Sequence, residues 1–340
     1  MKIAFCLHIS LAYGGGGEKW TIALAKALKD KGHNIKIYAL PYVPNKRKVL
    51  QLQKTSLDSI PYHEAWRHKI GADVAYIFYN PLSYVFFKTK CPKIAGIHSQ
   101  IYFLPKTPPI TYGIPAILAR LFHKIIGEAD LSLFDAVHMV NKIQIKHGKI
   151  YYIPNFVDSN VYKPRNEKNC RFTVLFAGRP SWQKGWDIFL KVAYIVKKMH
   201  PDIDFMWAGG YDEEIKGVVN CLGYIGKDKQ LSEVYSAAHL VLLPSRSDIF
   251  GVTILESLAC GTPVITTPIT THNALNLPLF YGEHTWDFVR AIEQLRFLWQ
   301  NDKEKYMEIS SESQEAVKVY EKSKIVKKIE AMLMEIANNN

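Results

Sequence analysis

The chain has 340 residues, which is enough for two domains with separate hydrophobic cores. Its 48% hydrophobic and 22% charged residues exclude an intrinsically disordered chain. No apolar run reaches the roughly 20 residues that a membrane-spanning helix needs. The net charge of +12 favours an anionic partner, and nucleic acid, an anionic membrane surface and a phosphorylated substrate all fit that description.

The cysteines give information about the compartment. They are scattered without paired spacing, at Cys6, Cys91, Cys170, Cys221 and Cys260. This pattern fits neither a disulfide framework nor a zinc site, and it suits buried thiols under reducing conditions. We therefore expect a cytoplasmic protein without a metal.

The first elements predict a βαβ unit with a glycine-rich loop. Residues 2–8 form a short apolar strand, four glycines follow at 14–17, and Glu18 opens a helix with one apolar face. A second strand covers residues 34–40. Backbone N–H groups at a helix N-terminus attract anions, although the dinucleotide spacing Gly-x-Gly-x-x-Gly is missing. A flexible turn is the alternative interpretation of the glycines.

A histidine follows one of the later predicted strands of this half. Strands are predicted at residues 73–79, 93–97, 136–140 and 150–153, and His98 comes directly after the second of these. The carboxyl ends of parallel strands form the edge at which ligands bind in open α/β sheets. A structural hydrogen bond is the alternative role for His98.

The segment 114–128 predicts a helix with an apolar stripe. The stripe is interrupted by Arg120, His123 and Lys124, and it consists of Ile114, Ile117, Leu118, Leu121, Phe122 and Ile125. The simpler interpretation is a helix that faces the core. The alternative is a surface helix that contacts an anionic bilayer.

A strand-to-helix junction in the second half carries two cations. Residues 172–177 form a strand, and Arg179 and Lys184 follow between Gly178 and Gly185. A planar guanidinium and a compact ammonium at a helix N-terminus suit a diphosphate. Two solvated surface cations are the alternative.

The stretch from 239 to 267 organises the second half. A buried strand at 240–243 leads to Asp248, and a helix that Gly251 opens and Gly261 closes carries Glu256. Because the rest of this helix is apolar, Glu256 needs a partner if it faces inward. A solvent-facing glutamate is the alternative.

These motifs together resemble glycosyltransferase family 4. The resemblance rests on two carboxylates with seven residues between them, around Phe250 and Gly251, and Asp248 stands in place of the usual Glu. Gly261-Thr-Pro-Val follows, and Gly-Arg with Lys-Gly precedes. The resemblance implies a GT-B fold, in which two Rossmann-like α/β/α domains with parallel sheets face a central cleft. The expected divisions are an acceptor-side domain 1–158, a linker 159–170, a nucleotide-sugar domain 171–318, and a helix 319–340 that crosses back to the first domain.

The resemblance also implies roles for individual residues. Arg179 and Lys184 grip the donor diphosphate, Glu256 holds ribose hydroxyls, and Asp248 holds sugar hydroxyls. His98 contacts the donor sugar or acts near the reacting centre. Further donor contacts are implied for Gly16, Gly17, Phe250 and Gly251, and the nucleobase lies along Tyr224 and Ile225.

The implied activity is that of a retaining glycosyltransferase that uses a nucleoside-diphosphate sugar, without a metal or cofactor. The acceptor stays open among lipid-linked glycans, protein glycans and small molecules, and peripheral membrane association is compatible with the basic charge. Asp248, Thr270 and Thr271 depart from the family pattern at the sugar end. They motivate a second hypothesis, a catalytically weakened binding protein whose basic surface takes nucleic acid or membrane. Nucleic acid is the less expected partner, and the missing glycine fingerprint argues against a nicotinamide-dependent oxidoreductase.

Overall fold

The computed structural model describes residues 1–42, 57, 59–98, 113–142, 145–165, 167–209, 215 and 217–338. Among the helices in these ranges, none is both long and apolar enough to cross a membrane. Contacts divide the chain into two compact units, Met1–Asn155 with Lys324–Asn340, and Phe156–Ser323. Residues 159–170, predicted as a linker, thus lie in the second unit, as do residues 319–323.

A parallel seven-stranded sheet forms the centre of the first unit. Its order is β3-β2-β1-β5-β7-β8-β9, with β1 Lys2–Leu7, β2 Asn34–Ala39, β3 Tyr62–Glu64, β5 Val74–Phe78, β7 Lys93–Ile97, β8 Ala136–Met139 and β9 Ile150–Tyr152. Two short strands, β4 His68–Ile70 and β6 Phe87–Thr89, pair separately. Strands covered on both faces are continuous apolar runs, and all five residues of β5 are buried.

The first helix follows the sequence prediction closely. Helix α1 spans Gly16–Asp30 and buries Trp20, Leu24 and Leu28 on one face. Gly32 follows it with a φ of +89°, a conformation that L side chains rarely adopt.

The second helix corrects the simpler prediction. Helix α2 spans Gly113–Leu131, but four residues of its predicted core face are exposed: Leu118 by 46%, Leu121 by 50%, Phe122 by 44% and Ile125 by 68%. The core-facing interpretation is therefore wrong for these four. A 3.6-residue period marks one apolar face of a helix without stating what covers it. The side chains of the other predicted stripe members, Ile114 and Ile117, and of Arg120 and His123 lie outside the described residues.

A second parallel sheet forms the centre of the second unit. Its order is β12-β11-β10-β13-β14-β15, with β10 Thr173–Ala177, β11 Asp204–Ala208, β12 Asn220–Cys221, β13 Leu240–Leu243, β14 Val264–Thr266 and β15 Phe280–Tyr281. If these six strands are numbered 1 to 6 in chain order, starting at β10, their order in the sheet is 3-2-1-4-5-6. This is the order of doubly wound folds, which bind ligands where the order reverses. The reversal lies between β10 and β13.

Within the described residues, six helices belong to the second unit, and the last helix of the chain packs with the first. The six are α3 Trp186–Met199, α4 Asp228–Ala237, α5 Val252–Ala259, α6 Thr270–Asn273, α7 Thr285–Asn301 and α8 Lys303–Val317. Helix α9, Lys322–Asn338, buries Ile325, Ile329 and Leu333. Its Glu330 pairs with Lys31 at 2.7 Å and with His33 at 2.8 Å, which ties α9 to the end of α1.

Candidate functional site

Two loops meet where the strand order of the second unit reverses. One follows β10 and carries Arg179 and Lys184, and the other follows β13 and carries Asp248. The backbone N–H of Arg246 donates to the carbonyl of Gln183 at 2.9 Å, which joins the loops. The carboxyl edge of this sheet therefore brings together the two motifs that the sequence separates by about 60 residues.

Gly185 allows the two loops to pack closely. Its φ is +70°, and a Cβ at this position would lie 1.9 Å from the carbonyl oxygen of Pro244. Only glycine combines this backbone conformation with this approach. The glycine after Lys184 is thus required by the packing of one loop against the other.

Lys184 and Asp248 form an ion pair within these loops. The ammonium Nζ of Lys184 donates to Oδ2 of Asp248 at 2.6 Å, with exposed side-chain fractions of 22% and 14%. Burial acts to raise the pKa of Asp248, but the charges of Lys184 and His272 outweigh it and hold that pKa well below its usual range. The acid is therefore anionic at neutral pH.

His272 is a second partner of Asp248 that the sequence did not reveal. Its side chain is 1% exposed, and its Nε2 lies 3.7 Å from Oδ2 of Asp248. The ring is anchored at Nδ1, which lies 2.9 Å from Oγ1 of Thr266 and 3.3 Å from the carbonyl of Thr267. The Oγ1 of Thr271 donates to the backbone carbonyl of Asp248 at 2.8 Å. Asp248 and Thr271, which both depart from the family pattern, are thus in contact. The sequence pointed to His272 only by its position directly after Thr270 and Thr271.

Arg179 lies in the same loop as Lys184 but on its exposed side. It follows β10 and Gly178, whose carbonyl accepts a hydrogen bond from Nε1 of Trp207 at 2.9 Å. This hydrogen bond anchors the backbone directly before Arg179.

Glu256 faces inward on α5. The hydroxyl of Tyr235 on α4 donates to Oε2 of Glu256 at 3.0 Å. Burial and the neighbouring Glu256 raise the pKa values of Tyr235 and Tyr162 well above their usual range, so both phenols stay protonated beside the carboxylate. The expectation that an inward acid needs a partner is confirmed, and the sequence did not single out Tyr235 or Tyr162.

Phe250 and Gly251 serve the local packing at the start of α5. The Phe250 ring is buried and meets the ring of Tyr320 edge to face, with centroids 5.7 Å apart. The side chain of Phe250 therefore points into the interior, and only its backbone is suited to a donor. Gly251 has a φ of +79°, and a Cβ there would lie 3.3 Å from Nε2 of His272.

Tyr224 and Ile225 lie in the loop between β12 and α4. The preceding Gly223 accepts a hydrogen bond from the N–H of Gly209 at 2.9 Å, and a Cβ at Gly209 would lie 2.6 Å from the carbonyl of Gly178. The loops after β10, β11 and β12 therefore adjoin one another at the same sheet edge. The Tyr224 side chain is exposed there.

The glycine-rich loop of the first unit leads into α1. Gly16 has open space around it, whereas a Cβ at Gly17 would lie 3.4 Å from the ring of Phe78. Glu18 in the first turn is buried, and its Oε2 lies 2.6 Å from where a Cβ of Gly15 would be. A carboxylate thus already complements the positive end of this helix dipole.

His98 directly follows β7 and lies between two aromatic rings. Its ring centroid is 4.4 Å from that of Trp20 and 4.6 Å from that of Phe78, which it stacks on. Its Nε2 lies 2.8 Å from the hydroxyl of Tyr76, and the side chain is partly exposed. Burial, with a further contribution from His138, lowers the pKa of His98 well below its usual range, so the imidazole is neutral.

The fold places the protein in a structural class. Two α/β units built on parallel sheets, the second with the strand order of a doubly wound fold, correspond to the GT-B fold. Residues 171–296 match the family model described as glycosyl transferases group 1. The resemblance to glycosyltransferases predicted from the sequence is confirmed by this match.

Curated relatives that match this chain over part of their length are also glycosyltransferases or glycolipid synthases by name. A D-inositol 3-phosphate glycosyltransferase of Paenarthrobacter aurescens (strain TC1) is 29% identical over 205 residues, which are 52% of this chain and 48% of the relative. An alpha-galactosylglucosyldiacylglycerol synthase of Streptococcus pneumoniae is 26% identical over 199 residues, 48% of this chain and 52% of the relative. The chain thus spans about half the length of these relatives.

Solved structures establish the fold over the whole chain. Sucrose-phosphate synthase from Thermosynechococcus elongatus superposes with a TM-score of 0.74 at 17% identity, covering 100% of both chains. Anabaena HepE in complex with UDP and glucose gives a TM-score of 0.72 at 17% identity, covering 98% of this chain and 99% of HepE. The predicted GT-B fold is therefore confirmed.

Proposed function

We propose that this protein is a retaining glycosyltransferase that moves a sugar from a nucleoside-diphosphate donor to an acceptor hydroxyl without a metal. The observation that carries the proposal is the contact of Lys184 with Asp248 at the switch point of the second sheet. Lys184, which can bind a phosphate, and Asp248, which can accept from a sugar hydroxyl, are in contact there. The family match of residues 171–296 and the UDP bound in the HepE structure support the same donor class.

The leaving diphosphate needs positive charge in the transition state. Arg179 offers a planar fork of donors, and Lys184 offers a compact ammonium in the same loop, immediately before Gly185 and α3. These two cations can neutralise the developing charge that a metal ion neutralises in other transferases. An incoming diphosphate competes with Asp248 for Lys184, because the two groups are already paired.

The carboxylates divide the recognition of the donor. Asp248 accepts hydrogen bonds from sugar hydroxyls, and the His272 ring stays beside it when Lys184 turns to the diphosphate. Glu256, held by Tyr235, accepts from the ribose hydroxyls. Gly16, Gly17 and His98 keep the donor roles that the resemblance assigns, and Tyr224 and Ile225 take the nucleobase. The backbone at Phe250 and Gly251 opens α5 beside the sugar.

A donor panel tests this assignment. Thermal shift with UDP-, GDP- and ADP-sugars, followed by calorimetry on the best donor, should give one nucleoside diphosphate that stabilises the protein. Arg179→Ala and Lys184→Ala should each weaken that binding, while Lys198→Ala, at the exposed end of α3, serves as the matched control. Equal affinity in all four proteins would remove the diphosphate assignment.

Product analysis tests the stereochemistry. Proton NMR of the first product, before mutarotation, should show the anomeric configuration of the donor. An inverted product would refute retention and leave the donor site intact. Full activity after exhaustive treatment with a chelator is the expected result for metal independence, and loss of activity that Mg²⁺ or Mn²⁺ restores would refute it.

The same panel distinguishes the enzyme from the second hypothesis, a catalytically weakened binding protein. It predicts nucleotide binding without turnover, or stabilisation by DNA, RNA or vesicles in place of nucleotides. The packing of Thr271 onto Asp248 and of His272 beside it favours the enzyme. At the positions that depart from the family pattern, Asp248 is held by contacts with Thr271, Lys184 and His272.

The exposed face of α2 supports a peripheral membrane location, and with it a lipid-linked acceptor. Leu118, Leu121, Phe122 and Ile125 are exposed beside Lys124 in a protein of net charge +12. Apolar side chains flanked by cations suit an anionic bilayer surface. One relative is named for a glycosylated diacylglycerol and another for inositol 3-phosphate, so the acceptor panel includes a lipid and a soluble phosphorylated polyol.

Vesicle sedimentation tests this location. The protein should sediment with phosphatidylglycerol vesicles and stay in the supernatant with phosphatidylcholine vesicles. Replacing Leu121 and Phe122 with Ser should release it, whereas replacing Phe297 on α7, which is more exposed than either, with Ser should not. Equal sedimentation of both variants would refute the α2 assignment.

A further inference from the structure

Two buried side chains connect His98 to a backbone carbonyl. The carbonyl of Ile153 lies 2.9 Å from Nε2 of His138, Nδ1 of His138 lies 2.5 Å from the hydroxyl of Tyr76, and that hydroxyl lies 2.8 Å from Nε2 of His98. Tyr76 and His138 are fully buried. Tyr76 lies in β5 and His138 in β8, while Ile153 and His98 directly follow β9 and β7, so four neighbouring strands of one sheet carry these contacts.

The direction of each hydrogen bond follows from the end of this chain. A carbonyl can only accept, so Nε2 of His138 carries a proton. Burial lowers the pKa of His138 to about 4, and the ring is neutral. Its Nδ1 therefore has a lone pair and accepts the proton of the Tyr76 hydroxyl.

The same logic fixes the proton on His98. Burial raises the pKa of Tyr76 well above its usual range, so the phenol keeps its single proton, and that proton is donated to His138. The oxygen of Tyr76 can then only accept from His98. Consequently Nε2 of His98 carries a proton, and the Nδ1 of this neutral ring carries a lone pair.

Packing restricts the orientations of the His98 and Tyr76 side chains. His98 lies between the rings of Trp20 and Phe78, which restricts its rotation. The Tyr76 ring crosses Gly96, where a Cβ would lie 2.4 Å from the ring atoms. Gly96 thus leaves room for Tyr76 in the position from which its hydroxyl contacts both histidines.

We propose that Tyr76 and His138 are positioning residues that hold His98 as the Nε2–H tautomer, so that its Nδ1 accepts a hydrogen bond from a substrate hydroxyl. The inference rests on the proposed function for the identity of the substrate, and it deepens the role of His98. A neutral acceptor nitrogen recognises a hydroxyl and disfavours a phosphate oxygen, which has no proton to donate. The hydroxyl belongs either to the donor sugar or to the acceptor.

Nitrogen NMR of the histidines tests the tautomer directly. In ¹⁵N-histidine-labelled protein at pH 7, the signals that disappear in His98→Gln should report a protonated Nε2 and an unprotonated Nδ1. In Tyr76→Phe the same signals should move toward the average of two exchanging tautomers. A protonated Nδ1 or an imidazolium in the wild type, or an unchanged tautomer in Tyr76→Phe, would overturn the proposal. This readout needs no turnover, so it survives a failure of the proposed function.

Kinetics and a matched variant separate positioning from stability. Tyr76→Phe should lower kcat about tenfold, the equivalent of one hydrogen bond, with little change in the KM for the donor. Tyr306→Phe removes another buried hydroxyl, which donates to the carbonyl of His239 at 2.6 Å, and should lower stability without changing kcat. An equal kcat loss in both variants would refute the positioning role.

Ligand titrations identify the source of the hydroxyl. The Nδ1 signal of His98 should stay in place with the bare nucleoside diphosphate that the panel selects. A shift on adding the matching nucleotide sugar assigns the hydroxyl to the donor, and a shift only on adding acceptor assigns it to the acceptor. A shift with the bare diphosphate, or with none of the three, would overturn the assignment to a hydroxyl.

Discussion

Lys184 and Asp248 are 64 positions apart in the chain, yet their charged groups lie 2.6 Å apart. Each belongs to a loop that follows one of the two strands at the switch point, and Gly185 allows these loops to touch. The group assigned to the phosphate and the group assigned to the sugar therefore neutralise each other before any donor binds.

Breaking this ion pair should destabilise the protein. Lys184→Met should lower the free energy of unfolding by about 1–3 kcal/mol, because Asp248 keeps its charge and loses a hydrogen-bonded partner. Urea denaturation measures the change. The double variant Lys184→Met with Asp248→Asn should recover part of the loss, since the uncompensated charge is gone. Strictly additive effects would show that the pair is not coupled in solution.

Gly185 should not tolerate a side chain. Gly185→Ala combines a φ of +70° with a Cβ only 1.9 Å from the Pro244 carbonyl, so the two loops must separate. We expect a loss of about 1–3 kcal/mol in the free energy of unfolding and weaker binding of the nucleoside diphosphate. Gly71→Ala is the control, because a Cβ there meets no atom within 4 Å. Unchanged binding in Gly185→Ala would contradict the loop contact.

Tyr235 should act on the ribose through Glu256. Tyr235→Phe removes the hydrogen bond to Oε2 and should cost about 0.5–1.5 kcal/mol of donor affinity, or roughly two- to tenfold in Kd. Calorimetry with the nucleoside diphosphate gives this number. Inorganic pyrophosphate, which has no ribose, should bind wild type and variant equally. A parallel loss for pyrophosphate would point to a general distortion of the site.

Lys168 should make stability depend on pH. Its ammonium donates to the carbonyl of Ala238 at 2.6 Å and to Thr262 at 2.9 Å, and burial lowers its pKa to about 7. The unfolded chain has a lysine pKa of about 10.4 and binds more protons between these two values. Stability contributed by this group therefore rises with pH from about 7 to 10.

Comparison with a variant isolates the effect of Lys168 from the other titrating groups. The free energy of unfolding of the wild type, minus that of Lys168→Met, should increase between pH 7 and pH 9 in urea denaturation. A difference that is flat or falls over this range would show that the pKa of Lys168 is not lowered in the folded protein.

The sequence contained much of the local structure. Sequence patterns predicted the buried central strands and the amphipathic face of α1. They also predicted the glycine-bounded turns beside Arg179, Lys184 and Asp248. All of these features depend on neighbours within a few residues. The resemblance of the motifs to glycosyltransferase family 4 likewise implied the GT-B fold. The apolar residues around Glu256 left its orientation open between inward and solvent-facing, and only the contact with Tyr235 decides it.

Other features depended on which elements meet. The same periodicity describes a helix that is covered and one that is exposed, so the sequence could not decide the environment of Leu121 and Phe122. His272 reached Asp248 only because β14 lies beside β13, and Tyr76 reached His98 and His138 only because β5, β7 and β8 are adjacent. Local sequence determined the strands, the turns and the residue types at the sheet edge. Tertiary structure decided the partners of each charge and each ring, because hydrogen bonds between distant strands depend on sheet order and register.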